Sequence, residues 1–213
     1  MFTSKFAANR AVLRVLLYGW QEHELPQFNF KFRSRTIGTL SNVLSKFASD
    51  IHFLIVAEDA VDEPTKAILS KGLYSASDAC YFVDGNAVKD DFGLNGHTLD
   101  DNQKNIILYG FEDSLEPEVV PIFRPASSGG LSDALSSPRF KYSAAVVVES
   151  RPLPEDGMYP YDAEIVDSPT GKRLIVIDKD LREQLEGKAL YVEGQGGISY
   201  YILPYSTVKE LSA

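Results

Sequence analysis

The chain has 213 residues, is 44% hydrophobic and 24% charged, and carries a formal net charge of −9. That length suits one large domain or two small ones with a sizeable core, and the composition is that of an ordinary folded protein rather than a disordered or fibrous one. Overall acidity argues against general coating of nucleic acid, and the longest apolar run near the start, Ala11 to Tyr18, is broken by Arg14 and too short to span a bilayer.

Val12–Tyr18 reads as a strand. Gln27 to Arg35, QFNFKFRSR, follows with Phe28, Phe30 and Phe32 alternating with Asn29, Lys31 and Arg33. A period of two puts the phenylalanines on one face of a strand, toward a core, and the cations Lys31, Arg33 and Arg35 on the other. Leu40, Val43, Leu44 and Phe47 fall at helical spacing, with Thr39 as N-cap. Ile51–Ala57 is a continuous apolar run, as in a strand buried on both faces. Asp62, Glu63 and Pro64 open a second helix that Gly72 closes, and Ala79–Val83 is the next strand. Strand, helix, strand, helix, strand over residues 28–83 argues for an α/β unit with some parallel pairing. Asn105–Phe111 and Val119–Phe123 complete this part.

Pro125 to Pro138 is rich in serine, glycine and proline, which marks a linker or long loop. A second Pro-rich bend spans Arg151 to Pro160. In the last third, Ala144–Glu149, Ala163–Val166 and Arg173–Ile177 read as strands, the last two joined by the turn Ser168 to Gly171. Asp180 with Glu183 reads as a capping box before Leu181 and Leu185, and Gly187 ends that helix. Leu190–Glu193 and Ile198–Leu203 form a hairpin around Gly194 to Gly197. The expected architecture is α/β to α+β: a mixed sheet with flanking helices at residues 1–124, a linker at 125–142, and a smaller α+β unit of antiparallel strands and one helix at 143–213.

Charge is uneven along the chain. Residues 1–50 hold seven of the 21 Lys and Arg but three of the 30 Asp and Glu, a net of +4, which leaves −13 for the remainder. A basic head on an acidic body steers anionic partners to one end or drives self-association. The single cysteine, Cys80, allows no intrachain disulfide and suits a reducing, cytoplasmic setting.

Two chemical readings follow. In the first, the protein has no catalytic activity and needs no cofactor, and Lys31, Arg33 and Arg35 contact another protein or a further copy of the chain; nucleic acid is a less favoured partner and a membrane is not expected. In the second, Glu58 and Asp59 at the end of one strand and Asp84 at the end of another converge on Mg²⁺ for phosphoester or nuclease chemistry, since open α/β sheets build sites at the carboxyl ends of strands. The stretch Tyr81 to Asn86, YFVDGN, resembles the first acidic strand end of NYN/PIN-type metal nucleases but has Ala87 where an Asn is usual. Strand-end Glu58 is similar to the acidic strand of the TOPRIM fold but is followed by Asp59 rather than glycine, and Asp84-Gly85-Asn86 stands for the expected Asp-x-Asp. Asp84-Gly85 also reads as a hairpin turn. The Asp-rich stretch from Asp84 to Asp101 lacks EF-hand spacing and reads as a solvated loop, and His23, His52 and His97 form no zinc pattern. The sequence holds no Gly-x-Ser-x-Gly elbow, Walker A loop or dinucleotide fingerprint.

Overall fold

A computed structural model describes residues 12–46, 51–94, 103–111, 118–194 and 197–213. Its first strand, β1 (Val12–Tyr18), matches the sequence expectation. Then come β2 (Gln27–Arg33), α1 (Leu40–Lys46), β3 (Phe53–Ala57), α2 (Glu63–Leu69), β4 (Leu73–Ser75), β5 (Cys80–Asp84), α3 (Gly85–Val88) and β6 (Gln103–Tyr109). The remainder is β7 (Glu118–Arg124), α4 (Leu131–Leu135), β8 (Ala144–Pro152), β9 (Ile165–Ser168), β10 (Gly171–Ile175), α5 (Lys179–Leu185), β11 (Leu190–Glu193), β12 (Ser199–Leu203) and α6 (Tyr205–Leu211).

The strands form two mixed sheets, which with the six helices make an α+β fold. One sheet has the order β2-β6-β3-β5-β4, with β2, β6 and β3 parallel and β5 and β4 antiparallel. The other runs β11-β12-β8-β1-β7, with β1 parallel to both β7 and β8. Strand β8 outlasts β1. Ser150 therefore pairs with Ser199 of β12 on one edge and with Ile175 of β10 on the edge that β1 has left.

Alternation along the strands sets the layers. Leu13, Val15 and Leu17 of β1, Phe53 and Ile55 of β3, Phe82 of β5, Ile106 and Leu108 of β6, and Val146 and Val148 of β8 meet in the core between the sheets. The intervening residues point outward under helices. Leu54, Val56, Val83 and Ile107 pack beneath Leu40, Val43 and Leu44 of α1 and Leu69 of α2. Leu16, Ala145, Val147 and Leu203 pack beneath Leu131 and Leu135 of α4, Leu185 of α5 and Val208 of α6. The result is four layers, helix–sheet–sheet–helix. It explains why β3 reads as an unbroken apolar run: both its faces are covered.

The expected division into residues 1–124 and 143–213 does not follow the sheets. Strand β1 pairs with β8 from Val15↔Ala144 to Tyr18↔Val147, so one sheet draws on both stretches. The stretch read as a linker, 125–142, contributes α4, whose Leu131 and Leu135 are buried. The β2–β6 sheet is inserted between β1 and β7, which pair with each other along their whole length.

The caps follow sequence logic with one correction. The Asn42 amide donates to Thr39 Oγ1 at 3.3 Å, and the Thr65 amide to Asp62 Oδ1 at 3.0 Å. For α5 the cap is Asp178, which accepts from the Leu181 amide at 2.7 Å, rather than Asp180, because the helix starts at Lys179. Phe47, expected on the α1 face, lies outside the described residues. A buried carboxylate ties the β4–β5 turn to the start of α6. Asp78, in the turn between β4 and β5, is 0% exposed, and its Oδ2 accepts from the hydroxyls of Ser75 and Ser206, both at 2.9 Å, and from the Ser206 amide at 3.3 Å. No helix among the described residues is long and apolar enough to cross a membrane.

Candidate functional site

Strand β2 is the outer strand of its sheet. Phe32 is buried, and Phe28 and Phe30 pack half-buried against the inter-sheet core with ring centroids 6.3 Å apart, as the alternation requires. On the other face, Asn29 Nδ2 donates to Asn105 Oδ1 at 3.1 Å, Lys31 is exposed, and half-buried Arg33 donates to the Phe32 carbonyl at 2.6 Å. Arg35 is not on the strand. Ser34 caps a short 3₁₀ turn, Arg35–Ile37, accepting from the Thr36 amide at 3.2 Å, and this ends the two-residue period. Arg35 donates instead to the Asp59 carbonyl at 3.0 Å and lies 3.9 Å from its carboxylate. The three cations therefore do not form one row: Lys31 and Arg33 share the face, and Arg35 turns to an internal acid.

The structure does not bring Glu58, Asp59 and Asp84 together. Strands β3 and β5 are antiparallel, with Ala57 opposite Cys80 and Phe53 opposite Asp84. Glu58 and Asp59 follow Ala57, so Asp84 lies at the other end of the strand pair, on the order of 16 Å from Glu58 at about 3.3 Å per residue. Carboxylates sharing Mg²⁺ must meet at one point, about 2.1 Å from the ion. Among the described residues no three His, Cys, Asp or Glu side chains lie close enough to hold a metal. The reason is topological: β4 intervenes after α2, and the β4–β5 pairing reverses the chain.

Each carboxylate has local work. Glu58 accepts from the Tyr74 hydroxyl at 2.7 Å, and this bond pushes the Tyr74 phenol up to about 12. Asp84 Oδ1 accepts from the Asn86 amide at 2.9 Å and caps α3, so Asp84-Gly85 opens a helical turn rather than a hairpin. Gly85 fits because it lies against strand backbone; a Cβ there would meet the Ile51 carbonyl oxygen at 2.1 Å. Burial raises the Asp84 pKa, partly offset by its cap bond and by Lys104. Lys104, a buried lysine with its Nζ 5.7 Å from the Tyr200 ring centroid, went unread in the sequence, where it is one polar residue at the start of a strand. His52 is buried, and its Nδ1 accepts from the Asn105 amide at 3.1 Å. The Asp-rich stretch is described as far as Leu94, with Asp91 paired to Lys71 at 2.5 Å; His97, Asp100 and Asp101 lie outside the described residues.

A large concavity lies elsewhere, beyond the carboxyl ends of the parallel strands β1, β7 and β8, where sheets of this kind build sites. Its cavity volume is about 520 Å³. Trp20, Phe123 and Val176 line it from the sheet side, Pro125 and Ala126 from the end of β7, and Met158, Tyr159 and Pro160 from the loop after β8. Gly19 makes the turn out of β1 at φ +82°, with a virtual Cβ only 2.8 Å from Val176 Cγ1. Arg151, 5% exposed, fixes this turn: one guanidinium nitrogen donates to Glu24 at 2.7 Å and another to the Gly19 carbonyl. The Trp20 Nε1–H is buried with no acceptor among the described residues. The sequence signals were present, in Gly-Trp directly after a strand and in the Pro-rich bend. Their convergence depends on the β1–β8 pairing, which no local pattern reveals.

No family model, curated protein or solved structure matches this chain. Function is therefore argued from its own geometry.

Proposed function

We propose that the protein acts by binding an acidic protein surface, on another protein or a second copy of itself, through the outer strand β2, with no catalytic step of its own. The observation that carries this is the position of β2. It is hydrogen-bonded to β6 on one side, has no second neighbour among the described residues, and turns Lys31 and Arg33 away from the core. An outer strand offers main-chain donors and acceptors to an added strand, while cations on it choose the partner's charge and discourage indiscriminate edge pairing. The sequence supplies the matching asymmetry, with a basic first 50 residues on an acidic remainder. A reducing, cytoplasmic setting suits Cys80, which is buried in the inter-sheet core.

The test is sedimentation velocity across salt concentrations, paired with cross-linking in extracts, on the parent chain and on Lys31→Glu/Arg33→Glu. The reading expects a complex that weakens with salt and disappears in the double variant. A single-chain mass under every condition with no cross-linked partner refutes it. Steeply salt-dependent binding to a single-stranded oligonucleotide, lost in the double variant, replaces the acidic protein with nucleic acid.

A further inference from the structure

We propose that the cleft beyond β1, β7 and β8 receives a basic peptide segment of a partner protein. This site is separate from β2 and does not depend on the reading given for it. Its walls present flat apolar and aromatic surfaces, chiefly Trp20, Phe123, Tyr159 and Met158, with prolines at the mouth. Such faces hold cationic and proline side chains well.

Charge selects between possible occupants. Pro154, Met158, Tyr159, Pro160 and Ala163 of the loop 152–164 line one wall, and the acids of the same loop, Glu155, Asp156, Asp162 and Glu164, stand next to them in sequence, with no cation among them. Glu164 pairs with Arg182 at 2.6 Å, but Glu155, Asp156 and Asp162 are exposed and enter no ion pair among the described residues. Glu22 adds a carboxylate on the facing wall. Among the described residues lining the cleft the one cation, Arg151, is buried against Glu24 and presents no opposing positive surface. The carboxylates follow one another along the loop, and among the described residues none belongs to a cluster able to hold a metal ion. A strip of charge matches a chain bearing several cations better than one compact amine.

Trp20, 4% exposed, is part of the cleft's aromatic lining. The loop 152–164 holds Met158 at 78% and Tyr161 at 107% exposure, apolar surface that an inserted segment covers.

Trp20 is the only tryptophan in the chain, so its fluorescence reports the cleft directly. The probe is a blocked peptide of alternating lysine and proline, free of aromatic residues, titrated into the full chain; the matching glutamate–proline peptide is the control. The expected result is a saturable change in Trp20 emission with the lysine peptide alone, weakened by salt. Binding should fall about tenfold or more in Glu155→Lys/Asp156→Lys/Asp162→Lys, whose exposed positions leave folding intact. Calorimetry on Trp20→Phe should show weaker binding of the same peptide. Equal response to both peptides, no saturable response, or unchanged binding by the triple variant overturns the proposal. Saturation by a single blocked lysine at the same concentration overturns the peptide assignment in favour of a small cation.

Discussion

Replacing Asp78 by alanine tests how the two sheets are held together. The carboxylate is fully buried and accepts three hydrogen bonds through Oδ2, two of them from Ser206 at the start of α6 and one from Ser75 at the end of β4. Oδ1 has no partner. Bonds to a charged acceptor contribute about 1.5–3 kcal/mol each, so three amount to roughly 4.5–9 kcal/mol gross. Against this stands the cost of desolvating a carboxylate with one oxygen unpaired, several kcal/mol, which the alanine variant recovers. The net loss for Asp78→Ala is therefore about 2–4 kcal/mol, a large share of a typical total of about 5–15 kcal/mol. For a chain of this size it lowers Tm by roughly 4–16 °C. Asp78→Asn keeps one acceptor without the charge and should lose about 1–2 kcal/mol. Urea unfolding at constant m reads both values, and a double-mutant cycle with Ser206→Ala should give a coupling of about 1–2 kcal/mol. A loss under about 0.5 kcal/mol for Asp78→Ala, or zero coupling to Ser206, refutes the reasoning.

Tyr74 should be among the last tyrosines to ionise, since its bond to Glu58 holds the phenol up to about 12 from an ordinary 10.0. With the folded value above the unfolded one, this contribution is complete below pH 10 and lost as pH rises through about 12; ultraviolet titration should show the transition move down in Glu58→Gln and vanish in Tyr74→Phe. Asp84, raised by burial, favours folding when protonated and costs stability as pH rises through its folded pKa. Asp84→Asn, which retains an acceptor for the Asn86 amide, should thus be more stable than the parent at neutral pH, with the difference closing in acid, as thermal melts across pH will show. Gly85→Ala forces a Cβ to 2.1 Å from the Ile51 carbonyl oxygen, and urea unfolding should register a loss of about 1–3 kcal/mol, because the obstacle is backbone and cannot rotate away.

The elements with a strict period were legible. β1 and β2 declared themselves as apolar or alternating strands, α1 by its apolar spacing with Thr39 as cap, α2 by Asp62, Glu63 and Pro64 at its start, and the turns at Ser168 and Gly194 by their turn residues. The elements that escaped are short and lean on distant packing. α4 offers only Leu131 and Leu135 on one face within a serine-rich stretch, and β4 is three residues long. Omitting β4 had the largest consequence. Without it, β3–α2–β5 reads as a parallel unit whose strand ends share one edge; with it, β5 reverses and Asp84 moves away from Glu58 and Asp59. Likewise Lys31, Arg33 and Arg35 satisfy a strand period in sequence, but Ser34 ends the strand before the third cation. The local pattern identified residue faces correctly and left open which strand ends meet, because pairing between distant strands is set by the core they enclose.

The crossing between the sheets is also where the cleft is made. After Tyr18 the chain leaves β1, turns at Gly19 where only a missing Cβ lets it pass Val176 and Val148, buries Trp20 against Tyr200 at a centroid distance of 5.7 Å, and enters β2 within a few residues. Arg151, from the far end of β8, grips both the Gly19 carbonyl and Glu24 and holds that crossing against the strand whose continuation forms the opposite wall. A buried arginine paired with a carboxylate is a weak source of stability compared with apolar packing of the same volume. Its value here is positional, because it fixes the direction in which the inserted sheet departs and the floor that Trp20 lays down. The insertion that puts β1 and β7 side by side therefore leaves their carboxyl ends open, and the loop after β8 lines that opening with Met158, Tyr159 and prolines rather than with further core.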